Sequence, residues 1–295
     1  MQGQAGNISG LVDYLTNTSG SVVNIIGGNP GLKPEVARNT TTGIAWQPRW
    51  LPGFTASLDY YHARIDNAIS TVSGTAPQTE QICIASGGVS PLCKLVVRPF
   101  PVTNTSPANY PTLNYNVKQN VALIYAEGAD IALNYETALS GVLAGALDGI
   151  LGLHLMWSHQ PVLKNQTLPG TVIINTAGTM QTPKDRISLE VDYASGPFNA
   201  TVLQRYYGAI HLSGNPTLIA ASSIAPYWQT DINLAYDLKM LDTPGTVFLN
   251  VNNLFNQFGG NCCAFTNNPG MQYPVAAFTD RIGRYFVAGI RFSNG

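Results

Sequence analysis

Few side chains in this 295-residue chain could carry chemistry: four cysteines, four histidines and a thin scatter of charged groups. Cys83 and Cys93 bracket the polar segment QICIASGGVSPLC, where a disulfide would close a small loop. By restricting the unfolded chain such a bond is worth about 2–3 kcal/mol, and it would imply an oxidising compartment. Free thiols are the alternative; zinc fits poorly, because no second Cys or His pair stands at ligand spacing. Cys262 and Cys263 are adjacent and could bond each other or reach elsewhere. His62, His154, His159 and His211 are scattered, with no carboxylate partner at motif spacing, so structural or loop roles are expected of them. Gly27-Gly28 and Gly259-Gly260 lack the strand-then-helix setting of a phosphate loop. No catalytic set, no metal set and no cofactor site is therefore expected, and an enzyme is the least favoured class.

The bulk composition narrows the field further. Charged residues make up 11% of the chain, against about 25% in an average soluble domain. Apolar content, at 45%, is ordinary, so Asn, Thr, Ser, Gln, Gly and Tyr stand where charge would be. That suits a sheet with one apolar and one neutral polar face. A net charge of −1 without a Lys/Arg cluster excludes a nucleic-acid partner. No run of 18 or more apolar residues is present, which excludes a membrane-spanning helix. The first ten residues, MQGQAGNISG, have no basic or apolar signal region and are read as the start of a mature or truncated product.

Elements that could position these residues are strands. Period-two alternation predicts nine of them, at 38–46, 54–66, 119–137, 150–160, 184–193, 199–210, 227–238, 246–255 and 283–292. In 184–193, Asp185, Ile187, Leu189, Val191 and Tyr193 share one face, while Arg186, Glu190 and Asp192 share the other. In 227–238, Asp231, Asn233 and Asp237 oppose Ile232, Leu234 and Tyr236. The phase changes near Gly128, where a bulge is expected. Residues 1–37 show no sustained period and are read as a long loop. Counted from Arg38, the connections alternate short and long, so all short turns fall at one end and all long loops at the other. A transmembrane β-barrel has that arrangement, and a β-sandwich rarely keeps it. Aromatics such as Trp46, Trp50, Trp157, Tyr193 and Trp228 gather near strand ends, as interfacial girdles would, although β propensity alone also enriches them. Bacterial single-chain barrels use even strand numbers, so nine strands read as part of a barrel.

Five ordered stretches carry a family resemblance: GNPGLKPEVARNTTTGIAWQP (28–48), LPGFTASLDYYHARIDNAI (51–69), AEGADIALNY (126–135), FLNVNNLFNQ (248–257) and GRYFVAGIRF (283–292). Together they resemble the C-terminal half of the barrel of TonB-dependent outer-membrane receptors. In that family the Asn-Leu-Phe element, here Asn253, Leu254 and Phe255, lies on the next-to-last strand. The resemblance implies an all-β antiparallel transmembrane barrel portion of about nine strands, with long extracellular loops and short periplasmic turns. It also implies TonB-energised uptake of a scarce ligand, such as an iron-siderophore, cobalamin or glycan, in the outer membrane of a Gram-negative bacterium. Expected partners are outer-membrane lipid, a plug with the remaining strands, the TonB complex acting through that plug, and a small-molecule or glycan ligand. Residues 1–37 would be an extracellular loop, 38–292 the partial barrel and 293–295 a C-terminal extension beyond the usual terminal aromatic. The chain departs from the family in lacking the plug, the TonB box and the earlier strands. Arg186, Glu190, Asp192, Asp231, Asn233 and Asp237 would face the lumen and could line a ligand path, or hydrogen-bond to a plug or to water. A passive channel, a surface-binding barrel and a secreted β-rich binding module are the alternatives.

Overall fold

The computed structural model describes residues 3–142, 148–179, 182–211, 223–240, 243–258, 280 and 282–292. Strands in chain order are β1 (Gly3–Val12), β2 (Ser19–Gly27), β3 (Val36–Trp46), β4 (Phe54–Ser73), β5 (Val96–Val97), β6 (Leu113–Ala138), β7 (Ile150–Gln166) and β8 (Ile174–Asn175). They continue as β9 (Asp185–Ser195), β10 (Phe198–Tyr207), β11 (Ile210–His211), β12 (Ser223–Ile224), β13 (Tyr227–Met240), β14 (Thr243–Asn252) and β15 (Tyr285–Phe292). One helix, α1 (Pro77–Ala85), and a 3₁₀ turn, Pro91–Leu95, lie between β4 and β5. Among the described residues no helix is long and apolar enough to cross a membrane.

All nine expected strands are present and pair in the order β3–β4–β6–β7–β9–β10–β13–β14–β15, within a sheet that β1 and β2 also join through the β2–β6 pairing. Each of the nine pairs with the next in chain order, across short and long connections alike. Three strands run well beyond what the alternation suggested: β4 continues to Ser73, β6 starts at Leu113 and β7 runs to Gln166. Gly128 sits inside continuous β6, where an added Cβ would lie 2.5 Å from the Tyr61 hydroxyl and 2.7 Å from the His159 carbonyl. Room for the close approach of those neighbours is what glycine supplies there. β14 stops at Asn252, so Asn253, Leu254 and Phe255 lie beyond the strand. Asn253 adopts φ 52°, is fully buried, and exchanges two 2.8 Å bonds with the Gln257 backbone, which turns the chain away.

Residues 1–37, expected as a long loop, contain the hairpin β1–β2. Its sequence is too rich in Gly, Asn and Ser to show an alternation, and the turn is what fixes it. Asp13 accepts bonds from Thr16 N–H (2.9 Å) and Thr16 Oγ1 (2.7 Å), while Asn17 takes φ 51°. This is the side-chain turn chemistry at which Asp and Asn excel.

The chain divides into two compact units. One comprises Met1–Arg38, Ala63–Tyr125 and Lys164–Ile174; the other comprises Asn39–His62, Ala126–Leu163 and Asn175–Gly295. In the first, β2 runs parallel to the start of β6, from Val23↔Leu113 to Gly27↔Val117. Its small core is Val72, Leu92, Leu95, Val117 and Leu168. Polar fasteners supplement that core. Cys83 and Cys93 are disulfide-bonded, with Cα atoms 5.1 Å apart, joining α1 to the 3₁₀ turn. Cys262 and Cys263 lie outside the described residues, as do Ser293, Asn294 and Gly295.

Asn114 is the other fastener. It is wholly buried, donates to Asn24 Oδ1 (2.7 Å) and Ser73 Oγ (3.1 Å), and accepts from Thr75 N–H (3.0 Å). Asn114→Ala leaves the Thr75 N–H buried and unbonded, so it should destabilise this unit by about 1–3 kcal/mol. Faster amide exchange at Thr75 and a lower denaturation midpoint are the expected readings; unchanged values would contradict the assignment.

Candidate functional site

The second unit holds the candidate site, a two-faced sheet whose faces are fixed by register. Residues directly opposite in antiparallel strands share a face. Leu153, Val191, Val202, Ile232, Val251 and Phe286 form one unbroken row across β7, β9, β10, β13, β14 and β15. One residue along, Gly152, Asp192, Thr201, Asn233 and Asn250 form the neighbouring row on the opposite face. Val251 is buried, but much of the first face is open: Tyr236 is 50%, Phe286 63% and Ile290 51% exposed. A β-sandwich would bury that face against a second sheet. An exposed apolar face of this extent is a surface made for another apolar phase.

On the polar face the registers bring together the residues singled out from sequence. Glu190, Asp231 and Asn233 line a groove of about 290 Å³ with Thr201 and Asn250. Asp192 is on the same face and accepts from Thr201 Oγ1 at 2.6 Å, with His154 Nε2 3.9 Å away. Arg186 lines a second groove, of about 530 Å³, with Asp59, Asp130, Ser158 and Arg205. Asp237 is not drawn into either groove; it accepts from Thr246 Oγ1 at 2.7 Å.

Asp231 is the hub of this face. Its carboxylate pairs with the Arg205 guanidinium and accepts from Gln229 Nε2 and from the Asn253 N–H, both at 2.8 Å. Gln229 in turn accepts from the Tyr227 hydroxyl at 2.8 Å. Through Asn253 the network reaches the turn that ends β14. Asn250 Oδ1 is buried and has no partner among the described residues. The face therefore offers amides and hydroxyls among an excess of carboxylates, with Arg186 and Arg205 as the cations of its two grooves, an arrangement suited to hydrogen bonding. Among the described residues no three His, Cys, Asp or Glu side chains gather as a metal would require.

Sequence reading missed Arg205, Thr201, Asn134 and His154 as members of this face. His154 Nδ1 lies 2.9 Å from Asn134 Oδ1. Alternation did place His154 opposite the leucines of β7, so that signal was present. Arg205 carried none, because β10 is mixed on both faces and only its pairing to Asp231 gives it a role.

The family described as "TonB dependent receptor-like, beta-barrel" matches residues 3–254. The chain belongs to that family. No curated protein sequence matches it. Solved structures of similar fold include a ferric enterobactin receptor mutant from Pseudomonas aeruginosa in complex with enterobactin (17% identity, TM-score 0.57, 97% of this chain, 35% of that one). Others are the siderophore receptor PirA from Acinetobacter baumannii (16%, 0.56, 98%, 35%) and the FrpB iron transporter from Neisseria meningitidis (16%, 0.54, 90%, 31%). At these identities the likeness is one of fold. The chain spans about a third of the length of the receptors it matches.

Asp231→Ala should strand the Arg205 guanidinium and the Asn253 N–H. A loss of about 2 kcal/mol is expected, together with faster exchange at the Asn253 amide, whereas Asp231→Asn, which keeps an acceptor, should lose less. Equal effects of the two substitutions would show that the hub is unimportant.

Proposed function

We propose that this chain is the C-terminal part of the barrel of an outer-membrane receptor that takes up a scarce ligand with energy delivered by TonB. The observation that carries this reading is the two-faced, nine-strand path. In it the cross-strand apolar row would meet outer-membrane lipid and the polar row would meet the lumen. A sheet can cross a bilayer only when its backbone groups are satisfied strand to strand, as in a closed barrel. Long connections at one end and short ones at the other set the extracellular and periplasmic ends.

Among ligand classes we favour an iron-siderophore over cobalamin or a glycan, since the similar structures are of siderophore receptors and an iron transporter. Glu190, Asp192, Asp231 and Asn233, with Arg186 and Asp237, are proposed as lumen-facing groups. There they hydrogen-bond to a plug, to water or to a passing ligand. The plug and the TonB complex acting through it are proposed partners of the whole receptor. Cys83 and Cys93 would be oxidised in that setting.

The face assignment can be tested by labelling in outer membranes, using the barrel in its receptor. Asp192→Cys and Asn233→Cys should react with a water-soluble, membrane-impermeant thiol reagent, and Val191→Cys and Ile232→Cys only with a lipid-soluble one. The reverse pattern would overturn the reading. Transport itself is tested by uptake of radiolabelled ferric siderophores in cells with and without TonB. Uptake lost without TonB is expected; uptake unaffected by its loss would point to a passive channel.

A further inference from the structure

The first unit contains a buried ionic cluster that the transport reading does not use. Asp13 sits in the β1–β2 turn, Glu80 in the first turn of α1, and Arg98 one residue past β5. Their side chains are 0%, 2% and 5% exposed. Arg98 Nη2 donates to Asp13 Oδ1 at 2.5 Å and to Glu80 Oε1 at 2.6 Å. Its Nη1 donates to Asp13 Oδ2 and to the Asn109 carbonyl, both at 3.0 Å. One guanidinium thus serves two carboxylates. If both were ionised, the enclosed group would carry a net negative charge without a counter-ion, which a low-dielectric site strongly disfavours.

Donor geometry decides which carboxyl takes the proton. Asp13 accepts two Arg98 bonds and two from Thr16, a set that favours the anion. Glu80 accepts only one Arg98 bond and the Tyr14 N–H, at 3.0 Å. The other titratable group facing the cluster is Tyr110, whose hydroxyl donates to the Leu11 carbonyl at 2.9 Å. α1 itself brings no second charge.

We infer that Asp13, Glu80 and Arg98 form a proton-controlled latch that ties the β1–β2 hairpin to helix α1 and slackens when Glu80 ionises. The Tyr14 N–H to Glu80 bond and the shared Arg98 are the tie, and each spans segments far apart in sequence. Burial, and then the neighbouring Asp13, push the Glu80 carboxyl up to about 7. Burial acts upward on Asp13 too, but the bonds from Arg98 and Thr16 outweigh it and hold that carboxyl at about 2.

A raised Glu80 favours the closed latch fully below its ordinary value of 4.5, and this contribution is lost as pH climbs from 4.5 to about 7. The Asp13 contribution is present above its ordinary 3.8 and fails only as pH falls toward 2. Closure is therefore tightest near pH 4 to 4.5.

The test is amide hydrogen exchange of the full chain, corrected for intrinsic rates, at Tyr14 and along Pro77–Ala85. Wild-type protection should fall on the order of a hundredfold between pH 4.5 and 7.5, while Glu80→Gln should hold its protection across that range. A pH-independent wild type, or the same fall in Glu80→Gln, would overturn the latch. Carboxyl-carbon NMR of the wild type decides the matter even if the variant does not fold: a Glu80 midpoint near 7 supports it, and one near 4.5 refutes it.

Discussion

Everything in the second unit depends on strand register. The side-chain period of a strand is two, so slipping any one pairing by a single residue would move Asp192 or Asp231 onto the apolar face and Val191 or Ile232 onto the polar one. Across β7, β9, β10, β13, β14 and β15 no such slip occurs. Each short turn sets the register of its hairpin, and the row of apolar residues holds only if every hairpin agrees with the next. The fold is thus a chain of local decisions that share one global requirement, that the apolar row and the polar row stay on opposite faces.

The first unit solves a different problem. Its apolar core is small, and strand β1 of its hairpin has a sequence with weak β propensity. Directional contacts do the organising there instead: the Cys83–Cys93 bond, the three bonds of Asn114, and Arg98 between two acids. Buried polar contacts of this kind penalise every alternative arrangement, because a misplaced chain leaves them unbonded. A lobe with few apolar residues can reach a defined shape in this way. One consequence is sensitivity to protonation, which a hydrophobic core would not have.

Membership in the receptor-barrel family agrees with both halves of this picture, and the similar structures at 16–17% identity show how little sequence the fold needs to retain. What persists is pattern, since alternation and turn spacing can be met by many residues while side-chain networks cannot. Asp231 with Arg205, or Glu80 with Asp13, are features of this chain that no alternation foretells.

From sequence alone, the nine strands, their alternating short and long connections, the two faces and the family were legible, because each rests on a local period of two or on turn residues within a few positions. The polar-face set Arg186, Glu190, Asp192, Asp231, Asn233 and Asp237 was legible as a face for the same reason, but its internal grouping was not. Register put Glu190, Asp231 and Asn233 in one groove, Arg186 in another and Asp237 with Thr246. The β1–β2 hairpin was missed because its order comes from Asp13, Thr16 and Asn17 in the turn and not from alternation. The Asn-Leu-Phe element ended outside its strand because buried Asn253 bonds to the backbone of Gln257, four residues on. The Asp13–Glu80–Arg98 cluster joins residues up to 85 positions apart, and only the folded chain brings them together. Sequence fixes what depends on neighbours along the chain; contacts that depend on neighbours in space are decided by the tertiary structure.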